Sequence, residues 1–199
     1  MENLILYAAA YLIAGIPFGY LLAKYFAGVD IKSEGSGNIG ATNVLRVLKT
    51  RDPKLAKKLG ATTLLLDALK GAVIILIAKA LGAPESVQWT IAVLAVLGHC
   101  FSLFLGFEGG KGVATGFGVL VTLIPIPTLI ALGVWFVAAK GLKISSLASL
   151  LALAAVLIAS YLLYPTMAHA PIWIIAIVIV YKHIPNIVRL IRKEETQVV

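Results

Sequence analysis

Long apolar runs recur along nearly the whole chain, and they leave it few folds to adopt. Most approach or exceed the ~20 residues that a helix needs to cross a ~30 Å hydrocarbon core. Of the 199 residues 60% are hydrophobic, against roughly 45–50% in soluble domains, so little sequence remains for a soluble domain. Spans are expected at 3–26, 60–82, 88–105, 113–124, 126–139, 144–164 and 170–190. The fold class is therefore all-α: a polytopic membrane protein with about seven transmembrane helices, one pair of them short, in a single domain over 1–199. Residues 3–26 resemble a signal peptide only superficially. Glu2 stands where a positive n-region belongs, and the run exceeds the usual ~7–15 residues. It is read as a retained span. Cys100 is the single cysteine, which excludes an intrachain disulfide and reads as packing.

The net charge is +8, from seventeen Lys and Arg against nine Asp and Glu. In a membrane protein this is first a topology signal, since basic residues concentrate on the cytoplasmic side, and no nucleic-acid partner is implied. The basic segment 27–59 is assigned to the cytoplasm. Within it Pro53 suits a first helical position, with Asp52 as cap, so the second helix is expected to start there and to hold Lys54, Lys57 and Lys58 at the membrane surface. The stretch 113–139 is either one helix or two short limbs broken at "PIP", Pro125 and Pro127. A single crossing would place Lys140, Lys143, Lys182, Arg189, Arg192 and Lys193 outside; an in-and-back pair returns them all to the cytoplasm and leaves Lys79 as the outward exception. The second reading is adopted, with the N-terminus outside and the C-terminus inside. Trp89 and Trp173 then fall at the outer interface and Trp135 near the inner one.

Three polar segments now share the cytoplasmic face. In "GSGNIGATNVLR" (35–46), Gly35, Gly37 and Gly40 permit close backbone approach, and successive N–H groups can form an anion nest. Ser36, Asn38, Thr42 and Asn43 add neutral polar groups. A short interfacial helix is expected from Ala41, with Arg46 one turn from Thr42 and an apolar face of Val44, Leu45 and Leu48 toward the membrane. The spacing G-x-G-x-x-G also matches a dinucleotide fingerprint, but no strand precedes it. A solvated turn before an interfacial helix is the bland alternative. In "GGKGVATG" (109–116), Gly109, Gly110, Lys111 and Gly112 place a cation at a helix start. No Ser or Thr follows the lysine, which excludes a Walker P-loop; a hinge with a snorkelling lysine is the alternative. In "HIPNIVRL" (183–190), His183, Asn186 and Arg189 recur every three residues along one side of a helix, with a kink expected at Pro185.

Other polar residues read as structural. His99 is a helix-packing histidine, Asp67 and Lys70 pair within the second span, and His169 lies on the outer side without a chemical role. Three scattered histidines suggest no metal site, and no cofactor or obligate protein partner is implied. Two anion-binding helix starts beside membrane helices suggest phosphate-bearing, lipidic ligands.

These segments carry a resemblance. Over essentially its whole length the chain resembles the bacterial integral-membrane glycerol-3-phosphate acyltransferases that use acyl phosphate as donor. The likeness rests on "GSGNIGATNVLR", "GHCFSLFLGFEGGKGVATG" and "HIPNIVRL", with "DALKG" (67–71) between the first two. Ser102 stands where the family commonly has proline, and Glu108 where a basic residue is frequent. The resemblance implies acyl transfer from acyl phosphate to glycerol 3-phosphate in the bacterial inner membrane, among membrane lipids. It implies catalytic roles for Ser36, Arg46, Lys111 and His183, with the hydroxyl proton taken by His183, by His99 as second candidate, or by the donor's own phosphate. Substrate binding would fall to Gly35, Gly37, Asn38, Gly40, Thr42, Asn43, Gly109, Gly110, Gly112, Asn186 and Arg189. The rival class is a small anion or organophosphate transporter, which also uses glycine-rich helix starts; a lipid phosphatase is a third reading.

Overall fold

A computed structural model of the protein describes residues 2–197, so Met1, Val198 and Val199 lie outside it. The described residues form nine helices: α1 (Glu2–Gly15), α2 (Phe18–Ala27), α3 (Ala41–Lys49), α4 (Pro53–Ala80), α5 (Glu85–Cys100), α6 (Val113–Leu123), α7 (Pro125–Leu142), α8 (Ser145–Leu163) and α9 (Ala170–Ile191). A 3₁₀ turn, Leu103–Leu105, follows α5. Six segments are long and apolar enough to cross a membrane: Asn3–Ala27, Pro53–Ala80, Glu85–Leu105, Pro125–Leu142, Ser145–Leu163 and Ala170–Ile191. Large apolar side chains face outward, with Leu4, Leu162 and Ile191 exposed by 70%, 75% and 78%, as a lipid-facing surface requires.

Local chemistry sets the element boundaries. Asp52 caps α4 by accepting from Lys54 N and Leu55 N, and Pro53 occupies the first turn. Lys54, Lys57 and Lys58 are exposed on this extension. The break at "PIP" is present: α6 ends at Leu123 and α7 begins at Pro125. α6 has 11 residues, about 16 Å at 1.5 Å per residue, so it is much shorter than the hydrocarbon core. α7 runs beyond the expected 126–139, to Leu142, and stops where Lys143 takes a left-handed φ of 56°. α9 continues through Pro185, which has no N–H to return to the Tyr181 carbonyl.

The first span differs from the single helix expected over 3–26. It breaks between α1 and α2 at Ile16 and Pro17, and the break frees carbonyls in an apolar setting. Ser102 Oγ donates to Gly15 O at 2.6 Å and Lys70 Nζ to Ile16 O at 2.8 Å. Lys70 also pairs with Asp67 Oδ1 at 2.8 Å, as its spacing suggested. Ser102 thus fastens the 3₁₀ turn to the end of α1.

Glycine sets the helix spacing. A Cβ at Gly118 in α6 would lie 1.9 Å from Ala68 O in α4, and one at Gly98 in α5 would lie 2.1 Å from Tyr11 O in α1. Thr115 Oγ1 donates to Asp67 O at one end of the α4–α6 contact and Lys79 Nζ to Thr122 O at the other, so these helices run in the same direction. α7 and α8 fold back on each other, joined by Lys143 and Ile144, with Trp135 Nε1 donating to Ser149 Oγ at 3.3 Å. The connections after α2, α5 and α7 therefore gather at one end of the bundle with the end of α9. α3 packs at that end, but its apolar face does not point to the bilayer as expected. Val44 and Leu48 are fully buried against Ile31, Ile39 and Leu59, because the surface extension of α4 and the 28–40 loop supply apolar partners there.

Gly118→Ala should lower thermal stability in detergent by about 1–3 kcal/mol through overpacking. Gly133→Ala, where a Cβ meets nothing within 4 Å, should leave it unchanged or raise it by up to about 1 kcal/mol. Thermal unfolding of the two variants checks the contrast.

Candidate active site

The 35–40 turn is built by its own side chains. Asn43, 2% exposed, accepts from Ser36 N at 2.9 Å and donates to Ile31 O at 3.0 Å and Glu34 O at 3.1 Å. Its amide clamps the turn, so Asn43 shapes the site from beneath. Gly35 and Gly37 take left-handed φ of 62° and 68°, and a Cβ at Gly35 would lie 2.3 Å from Asn43 Oδ1. Asn38 Oδ1 accepts from Gly40 N at 2.9 Å, setting up Gly40 as the extended residue before α3. Ser36 stands exposed at the apex.

The 109–112 turn lies against the end of α5. Gly110 N donates to His99 O at 3.0 Å. Gly112, at φ 84°, opens α6. From this turn Lys111 Nζ donates to Asn186 Oδ1 on α9 at 2.6 Å, which joins two of the three segments directly. Thr42 Oγ1 and Ser145 Oγ share a hydrogen bond at 3.2 Å, which brings the first turn of α3 to the start of α8.

The link between these contacts is a residue that the sequence did not mark. Glu195 Oε1 accepts from Asn186 Nδ2 at 2.6 Å and Ser146 Oγ at 2.8 Å, while Oε2 accepts from Arg189 Nε at 2.6 Å. Its side chain is 6% exposed. Burial alone raises its carboxyl pKa, but the hydrogen bonds from Arg189, Asn186 and Ser146 outweigh this and hold it below the usual carboxylate range. A reversal after α9 delivers it: Lys193 takes a φ of 59°, its N–H returns to Leu190 O, and Glu194 N returns to Arg189 O. This is a Schellman-type end with lysine where glycine is usual. Lys193 therefore sets the path of the tail.

Lys111 is held at about 8. Burial is the main cause; Arg189, Arg46 and Lys182 push in the same direction and Glu195 opposes them. Lys182, absent from the expected set, lies over the Phe101 ring at 5.0 Å. His183, 2% exposed, has Nδ1 2.8 Å from Ile179 O. A carbonyl only accepts, so Nδ1 carries the proton, and the Nε2 lone pair of the neutral ring remains available. Glu108 pairs with Lys32 Nζ at 2.6 Å, and that contact is the main cause that lowers its carboxyl pKa, with Lys182 adding to it.

The site is thus a ring of cations and neutral donors at one end of the bundle, closed by one buried carboxylate. Residues 4–193 match the family described as glycerol-3-phosphate acyltransferase. The chain belongs to that family. A glycerol-3-phosphate acyltransferase of Sulfurimonas denitrificans is 63% identical over 97% of this chain and 95% of its own. One from Campylobacter concisus is 60% identical over the full length of both. Among solved structures, PlsY (YgiH), an integral membrane glycerol 3-phosphate acyltransferase, superposes in its glycerol 3-phosphate form with a TM-score of 0.89, at 37% identity, covering 99% of this chain and 96% of that one. Its lysophosphatidic acid form gives 0.87, at the same identity.

In this acyltransferase Lys193→Gly should stabilise the fold by about 1 kcal/mol, because glycine adopts the left-handed conformation without strain. Glu195→Ala should cost about 1–3 kcal/mol by leaving Arg189, Asn186 and Ser146 without their shared acceptor. Thermal unfolding in detergent measures both.

Proposed function

We propose that this acyltransferase moves an acyl group from acyl phosphate to glycerol 3-phosphate, at the cytoplasmic face of a bacterial inner membrane. The hydroxyl at carbon 1 attacks the acyl carbon, the bond to the phosphate oxygen breaks, and 1-acylglycerol 3-phosphate and inorganic phosphate leave. This is the first step of phospholipid synthesis. The observation that carries the reading is the direct Lys111–Asn186 bond, which closes the second glycine turn onto α9 while Arg46, Arg189 and Lys182 contribute positive charge around Lys111. Both reactants bring a phosphate, and such a field favours holding two anions side by side.

The roles follow the geometry. The 35–40 turn, with Ser36, Asn38 and the first turn of α3 at Thr42, receives the acyl phosphate headgroup on backbone N–H groups. Arg46 and Lys111 neutralise the phosphates and the oxyanion that develops on the acyl carbonyl. Asn186, Arg189 and the 109–112 turn orient glycerol 3-phosphate, and the Nε2 of His183 accepts a hydrogen bond from the attacking hydroxyl. The orienting partner of His183 is a backbone carbonyl, which gives an imidazolium no countercharge of the kind a carboxylate supplies. The proton therefore ends on the departing phosphate, and no acyl-enzyme forms. The orientation rests on charge. The site end carries the basic residues of the 28–58 segment, Lys111, Lys140, Lys143, Arg189, Arg192 and Lys193, while Lys79 stands at the opposite end.

Purified protein in detergent, given a synthetic acyl phosphate and glycerol 3-phosphate, should release phosphate and form lysophosphatidate in equal amounts. A transporter would do neither, and a phosphatase would release phosphate without the acceptor. His183→Ala should reduce kcat by about 10²–10³-fold, the scale of lost positioning and polarisation, without removing an ionisation from the pH profile. Lys111 is charged below about 8 and neutral above it, so kcat/KM for glycerol 3-phosphate should fall as pH rises through that value. Lys111→Arg should move the falling limb out of the accessible range, and Glu195→Gln, which removes the anion that favours the charged lysine, should move it lower.

A further inference from the structure

One buried polar cluster lies outside the roles assigned above. His99 is 4% exposed, and its Nδ1 has no hydrogen-bond partner. That atom sits 3.8 Å from Asp67 Oδ1, which is itself paired with Lys70 at 2.8 Å. The opposite edge of the imidazole meets the 109–112 turn: a Cβ at Gly110 would lie 2.0 Å from Nε2 and 2.6 Å from Cε1. The backbone of the same residue closes on the turn as well, since His99 O accepts from Gly110 N and a Cβ at Gly109 would lie 2.2 Å from it. The chain of contact is continuous. It begins at Ile16 O in the break of the first span, passes through Lys70 and Asp67, crosses to His99, and ends at the glycines that precede Lys111.

Packing alone does not call for these residue types. Ionisable groups among membrane helices are expensive and persist where they pair or serve a site. An aliphatic side chain of similar volume would fill the space beside Gly110 without leaving a buried nitrogen unsatisfied. An imidazole is planar and rigid, and here it is wedged between a fixed carboxylate and a turn that tolerates no side chain at position 110. Such an arrangement limits an approach: the ring fills the space between the ion pair and the turn, and its edge sets how near the turn can come.

We infer that His99, braced by Asp67 and Lys70, is a positioning residue for the 109–112 turn and thereby governs capture of the glycerol 3-phosphate phosphate by that turn and Lys111. The inference rests on the acceptor assignment made under Proposed function. His99 does not touch the reacting atoms. It acts by holding the backbone N–H groups and the root of Lys111 where the phosphate meets them.

The test is steady-state kinetics on full-length protein in detergent, with thermal unfolding recorded alongside. His99→Ala should raise KM for glycerol 3-phosphate by about ten- to hundredfold, the scale of an ångström of misplacement, while KM for acyl phosphate stays near the wild-type value and kcat falls much less. Asp67→Asn, which keeps the shape and removes the charge, should show the same pattern more weakly. Gly110→Ala should raise KM for glycerol 3-phosphate in the wild type, but should add little in the His99→Ala background, where the new methyl group enters the vacated space. Ile91→Ala, a cavity at a fully buried position of the same helix, gives a matched loss of thermal stability with KM unchanged. If the His99 variants behave like Ile91→Ala, or if Gly110→Ala costs as much with and without the imidazole, the positioning role is wrong while the acyl-transfer reading stands. If the wild-type protein makes no lysophosphatidate, the underlying reading fails first, and with it this inference.

Discussion

A carbonyl freed from its helix inside hydrocarbon has no water to turn to, and this constraint organises the protein. The chain breaks its helices where a plain bundle would not: at Ile16–Pro17, after Cys100, and between Leu123 and Pro125. Each break releases backbone groups that must find partners within the protein. Ser102 and Lys70 serve the first, Tyr11 reaches Phe101 O at the second, and Lys79 reaches Thr122 O near the third. The intramembrane lysine is thus part of the cost of bending a span. The bends in turn let short helices begin within the bundle, and α6 begins two residues after Lys111.

The same economy of backbone approach brings charge together. α4 and α6 pack closely at Gly71 and Gly118, and α9 passes close enough for Asn186 to meet Lys111. Among the described residues, Glu195 is the carboxylate that acts on Lys111, against the three cations Arg189, Arg46 and Lys182. The proposed binding of two phosphates needs such an imbalance. A fully neutralised cluster would have to surrender existing ion pairs before it could hold an anion, whereas this one retains Glu195 mainly to orient Asn186 and Arg189.

Much of this arrangement was legible in the sequence. The Asp52–Pro53 start of α4, the division at "PIP", the Asp67–Lys70 pair and the shared face of Asn186 with its neighbours on α9 all follow from local rules of capping and period. What escaped had no local signature. Pro17 sits within an apolar run, and mean hydropathy does not register a break that keeps both halves apolar. Asn43 has the composition of a ligand residue, but its burial turns both ends of its amide onto loop carbonyls and an N–H. Glu195 was hidden because Lys193 occupies the left-handed position that a glycine would have advertised. Its partner Ser146, and Ser145, which bonds Thr42, come from a helix start more than a hundred residues from Thr42, a proximity that only the folded hairpin of α7 and α8 creates.

The Asn43 clamp has a thermodynamic consequence. Two left-handed glycines and an exposed serine would ordinarily form a supple turn, and a ligand arriving there would first have to freeze it. Here one side-chain amide has already done so, through three bonds to the loop's own backbone. In the role proposed for it, such a turn surrenders little chain freedom at the moment of capture, so a small headgroup with few atoms would still be held tightly enough to react.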